Sequence, residues 1–187
     1  MGTIKTTNIE TITGSGTLTL GQSGETISIP SGVTMSVPSG GLSGQNYPAF
    51  FAYLSLSQGV SSAVYTKAQI DTKVFDTNNY YDNTTNYRFT PLVAGKYLVF
   101  YGVSLESGDG NATVLVNELR LNGSRIVNSP RLDTTTGITR FSAVGTQVVD
   151  MNGSTDYLEV FGYVSGFGTE FNAGDRQTIF GAYRIGS

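Results

Sequence analysis

The sequence has no cysteine, no histidine and no tryptophan in 187 residues. Zinc sites of thiolate or imidazole are therefore excluded. So are a thiol nucleophile, a disulfide framework and a histidine-assisted serine triad. Charge is also scarce. Asp, Glu, Lys and Arg supply 13 % of the chain, about half the usual globular share. The formal net charge is −3, which argues against an electrostatic grip on nucleic acid. No stretch approaches the roughly 20 apolar residues of a membrane span. Residues 1–10 hold one lysine and no apolar run, so no signal peptide is read there. The expectation is a protein with no nucleic-acid partner and no membrane insertion.

Polarity comes instead from Ser, Thr, Asn, Gln and 24 glycines. The length suits one ordinary domain with a short appendage and allows a sizeable core without metal or disulfides. Residues 3–46 contain no Tyr, Phe or Arg, whereas all eleven tyrosines and all ten phenylalanines lie beyond them. The expected division is therefore a repeat segment at 1–46 and a domain at 47–187.

Two octapeptides stand in tandem, Glu25-Thr-Ile-Ser-Ile-Pro-Ser-Gly32 and Val33-Thr-Met-Ser-Val-Pro-Ser-Gly40, behind a looser copy at 17–24. Each reads as a short strand with a Pro-Ser-Gly turn. Ile27, Ile29, Met35 and Val37 give each unit one apolar face. A single copy cannot bury that face, so such repeats stack on neighbours or on other chains. A flexible linker is the plainer reading of the composition, and the alternation of Thr and Ser with Ile and Val argues against it.

The second part reads as strand after strand: 48–56, 63–66, 95–105, 112–121, 125–127, 139–149, 157–164 and 177–185. Asp109-Gly110, Asn122-Gly123 and Asn152-Gly153 mark turns. Many short strands with few helix candidates mean a sandwich or jelly roll. Two strands are apolar on both faces. One alternates Tyr97, Val99 and Tyr101 with Leu98 and Phe100; the other alternates Leu158 and Val160 with Tyr157, Phe161 and Tyr163. A second face rich in aromatics wants cover, and another subunit is its natural source. Cover by loops of the same chain is the alternative.

Five short motifs, in order, are similar to the globular head of complement component 1q and the tumour-necrosis-factor-like jelly rolls. They are Pro48-Ala-Phe-Phe-Ala-Tyr-Leu54, Val74-Phe-Asp-Thr-Asn-Asn-Tyr-Tyr-Asp82 and Phe89-Thr-Pro-Leu-Val-Ala-Gly-Lys-Tyr97. Then come Asn152-Gly153 with Asp156-Tyr-Leu-Glu-Val160, and Thr178-Ile-Phe-Gly-Ala-Tyr-Arg-Ile-Gly186. The spacing from Tyr81 to Phe89 is one residue longer than the family's, and no collagen-like stalk is present. The octapeptide segment resembles the repetitive linkers of bacteriophage fibre proteins.

The resemblance implies an all-β jelly-roll knob behind a β-repeat stem, a parallel homotrimer, and binding through outward loops rather than catalysis. Tyr53, Tyr97, Tyr101, Tyr157, Phe161 and Tyr163 are the candidate trimer interface. Asp109, Asn111, Arg131, Phe167 and Phe171 are candidates for receptor-binding loops, since 107–111, 128–137 and 166–175 are the most irregular stretches. Ile27, Ile29, Met35 and Val37 would pack the stem.

The expected function is that of a structural virion protein at a particle surface, a trimeric bacteriophage tail or head fibre or spike. Its partners would be itself, other virion proteins through the stem, and a host surface glycan or protein. A capsid cement protein without a receptor role is one alternative, and a secreted lectin-like or signalling trimer is another. The fourteen carboxylates are scattered, with no pair whose spacing suggests a glycosidase. No cofactor is expected. Asp109-Gly-Asn111 and Asp82-Asn83 offer oxygens of the kind calcium takes, although these residue types form turns anyway.

Overall fold

The structure, a computed structural model, describes residues 26–35 and 48–186. The chain divides between residues 43 and 44 into two units. In the first, Val33 N–H donates to the Pro30 carbonyl at 3.2 Å across a Ser31-Gly32 turn. The expected Pro-Ser-Gly turn is present, but residues 26–30 and 33–35 form no ladder. Ile27, Ile29, Val33 and Met35 are exposed in the single chain. Val37, the copy at 17–24 and the junction at 40–46 lie outside the described residues.

The second unit is built from strands: β1 (Ala49–Tyr53), β2 (Gln58–Gly59), β3 (Thr66–Lys67), β4 (Thr72–Asp76), β5 (Tyr81–Asp82), β6 (Arg88–Phe89), β7 (Gly95–Gly102) and β8 (Ser104–Ser107). They continue with β9 (Ala112–Leu121), β10 (Ser124–Ile138), β11 (Arg140–Phe141), β12 (Gly145–Met151), β13 (Leu158–Val164), β14 (Thr169–Asn172) and β15 (Ile179–Gly186). One sheet runs β12-β7-β15-β1-β4 and a second runs β11-β8-β14-β2. Each strand of the second sheet is a sequence neighbour of its counterpart in the first, so the two are one layer bent in the middle. The other layer runs β10-β9-β13-β6-β5, with β3 added beside β13. Every pairing is antiparallel.

At the bend the ladder loses backbone partners, and buried side chains replace them. Asn117 Oδ1 accepts Val103 N–H at 2.7 Å, and Thr178 Oγ1 accepts Ser104 N–H at 3.1 Å. Asn117 and Thr178 are both fully buried, as the need to satisfy every buried polar group requires.

Between the layers lies an aromatic core. Phe50 stacks on Tyr81 and Phe89 at 4.6 and 4.5 Å and meets the edge of Phe180 at 4.9 Å. Such offset and edge contacts add to plain burial. The Tyr81 hydroxyl donates to the Ile70 carbonyl at 2.8 Å, and burial pushes its pKa well up.

The Asn122-Gly123 turn joins β9 to β10 with φ of +52° and +77°, the backbone of a type I′ hairpin. β10 continues through 128–137, where the irregular sequence predicts a loop. Three register shifts explain the irregular look, and Pro130 falls in the one between Asn128 and Arg131. β10 is an edge strand, where a bulge tolerates proline. Gly153 turns the chain at φ +70°, and a Cβ there would lie 2.2 Å from Ala94 N. Gly153→Ala is expected to cost about 1–3 kcal/mol, read as a lower denaturant midpoint at unchanged m-value.

Candidate functional site: an apolar sheet face and a phenylalanine loop

Strand register decides which side of the first layer faces out. Leu98 pairs with Val148 on one side and Tyr183 on the other. The next row sets Phe100 beside Thr146 and Gly181, with Phe51 and Phe75 beyond. Gly181 matters for space: a Cβ there would lie 2.1 Å from the Phe100 ring. That ring therefore crosses the β15 backbone and reaches Phe51 at 5.8 Å. Leu98, Val148, Tyr183 and Phe75 are 40, 48, 47 and 48 % exposed. The rim is polar. Lys96 pairs with Asp150 at 3.2 Å on one side, and the Arg176 guanidinium lies 4.6 Å from the Tyr53 ring.

The outer face of the other layer is covered by its own side chains. Arg120 lies 3.7 Å over the Phe161 ring and Arg88 lies 4.5 Å over Tyr157. Arg120 is also paired with Glu118, and Lys67 with Glu159. Both carboxylates are buried. Tyr163 packs on Tyr65 at 4.9 Å.

Two loops meet at one corner. Gly108 N–H donates to the Phe167 carbonyl at 2.9 Å, and Gly166 N–H donates to Ser62 Oγ at 3.0 Å. Phe167 stands out from this corner at 81 % exposed. Beside it, Asp109 accepts from the Ser107 hydroxyl and from Asn111 N–H. Those bonds, Ser107 first, hold its pKa down at about 2.

Murine APRIL superposes with a TM-score of 0.52 at 10 % identity, over 74 % of this chain and 99 % of its own. The fold is that of a complement-1q and tumour-necrosis-factor-like jelly roll. The globular domain of zebrafish complement 1qA matches over 74 % of this chain and 97 % of its own, at 18 % identity and a TM-score of 0.48. No family model and no curated protein matches the sequence.

The jelly roll redistributes the residues singled out from sequence. Tyr97 and Tyr101 are 0 and 1 % exposed and belong to the core, not to an outer face. The Tyr97 hydroxyl is satisfied locally, donating to the Val93 carbonyl at 2.7 Å. Burial first raises the pKa of both to about 12. Tyr157, Phe161 and Tyr163 lie on the second layer under or beside their own cover. Of the six aromatics, Tyr53 alone shares the apolar face of the first layer. The residues that build that face, Phe51, Leu98, Phe100, Val148 and Tyr183, were passed over. The available signal was their alternation with Tyr97, which gives two faces without saying which is inner.

Among the loop candidates, Asp109, Asn111 and Phe167 belong to the same corner. Phe171 does not; it is a fully buried residue of β14, packed where a Cβ on Gly162 would meet its ring. Arg131 sits on the second layer, paired with Asp133 and opposite Val116. The Asp82 carboxylate accepts N–H bonds from Thr84, Thr85 and Asn86. Those to Thr85 and Thr84 chiefly depress its pKa. Among the described residues no three acidic groups converge on a metal position.

Proposed function

We propose that the protein is a structural component of a virus particle, a homotrimeric fibre or spike whose jelly roll attaches to a host surface. The bare apolar face of the first layer carries this reading. Contiguous apolar surface with a polar rim is the anatomy of a protein contact. Threefold assembly is what the jelly-roll resemblance implies. The octapeptides support the fibre part. Exposed Ile27, Ile29 and Met35 need neighbours, and three parallel copies would provide them.

Function then lies in binding, with the Phe167 corner as the contact and threefold avidity strengthening a weak site. Light scattering on the full chain should give three times the chain mass. A monomer at all concentrations would remove the reading. Phe167→Ala should leave stability within about 0.5 kcal/mol and weaken binding to host cells about tenfold or more. A cement protein would lose nothing by that change.

A further inference from the structure

A second recess lies at the open edge of the sandwich, where β4 and β5 end their sheets. It is a cleft of about 520 Å³, inside the range of roughly 300–1,000 Å³ for small-ligand sites. Such sites are mostly apolar, but this one is walled by amides, hydroxyls, two cations and the Asp82 carboxylate. Asn79, Asn83 and Thr90 line it together with Lys73, Arg88 and the half-buried ring of Tyr80.

Two carboxylates shape the walls, Asp76 from behind and Asp82 within the lining. Asp76 accepts N–H bonds from Tyr80 and Tyr81, both at 3.0 Å. Asp82 ties down Thr84, Thr85 and Asn86. Both acids are thus spent on turns, and the cleft is formed before any ligand arrives, which lowers the cost of binding. Lys73 is held by Asp76 at 3.3 Å and by Asn79 Oδ1 at 2.7 Å. Arg88 differs. It stacks on Tyr157, yet among the described residues no carboxylate and no hydrogen-bond acceptor contacts its guanidinium. The Tyr80 and Thr90 hydroxyls are likewise without hydrogen-bond partners among the described residues.

We infer that this cleft binds an acidic saccharide, a pyranose whose carboxylate is taken by Arg88. A guanidinium fork matches a carboxylate in two parallel bonds. The Tyr80 ring offers an apolar surface to a sugar face, and the unpartnered Tyr80 and Thr90 hydroxyls match a polyol. The site is separate from the Phe167 corner; only its biological ligand, an acidic glycan of the host surface, rests on the attachment reading.

The test is calorimetric titration of the full chain with trigalacturonate and with neutral galactotriose. Saturable binding of the acidic sugar is expected, weakened about tenfold or more in Arg88→Gln and kept in part in Arg88→Lys. Thermal melts of both variants show that the fold persists. Absence of acidic-sugar binding, equal binding of the neutral sugar, or binding indifferent to Arg88 overturns the inference. Competition against host-cell binding separates the two readings. Binding that does not compete sustains the cleft and places attachment elsewhere. Cell binding without trigalacturonate binding sustains attachment and ends the acidic-sugar assignment.

Discussion

Leu98→Glu is expected to turn the proposed trimer into a monomer that still melts cooperatively. Leu98 is 40 % exposed in the single chain, so a glutamate there stays in water and leaves the core intact. In an assembly through the first layer, that carboxylate would lie between Val148 and Tyr183 with no partner. A central interface residue contributes about 2 kcal/mol or more. The change enters all three contacts of a trimer, for a total of about 6 kcal/mol, roughly four decades in association. Light scattering gives the mass and circular dichroism the fold. Leu98→Met should remain trimeric. A trimeric Leu98→Glu protein would place the contact on another surface and overturn the assembly proposed here.

Phe50→Ala should be the most damaging single truncation in the domain. The ring is fully buried and touches Tyr81, Phe89 and Phe180, which come from three other strands or their edges. Removing such a ring leaves a cavity and costs about 3–5 kcal/mol, against a total stability of about 5–15 kcal/mol. The measurement belongs in the Leu98→Glu background, where unfolding is unimolecular and mass action does not inflate the midpoint. A loss under about 1.5 kcal/mol would mean that this cluster is not the centre of the core.

Local pattern was the legible part of the chain. β9 falls on Ala112–Leu121 as read, and Asn122-Gly123 turns as read, because alternation and turn chemistry are local signals. β10 was lost after Val127 because Pro130, Gly137 and a threonine run look like a loop. Only the partner strand shows how register shifts absorb them. The choice of faces was not legible either. A strand face rich in aromatics suggests an interface, yet Tyr97 faces the core and its hydroxyl meets a carbonyl four residues back. Phe171 was read as a loop ring because glycines surround it. It is buried because Gly162, across the core, leaves room for it.

The cover of the second layer has a consequence for growth. Arg120 and Lys67 are locked onto Phe161 and onto buried carboxylates, so that surface offers little to another copy. Protomers that join through the apolar face of the first layer would turn the lidded layer outward. A threefold ring sets two different patches of the apolar layer against each other at every contact, and three such contacts use both patches of every protomer. The charged lid over one sheet therefore sets a stopping rule, limiting how many chains the apolar sheet can recruit.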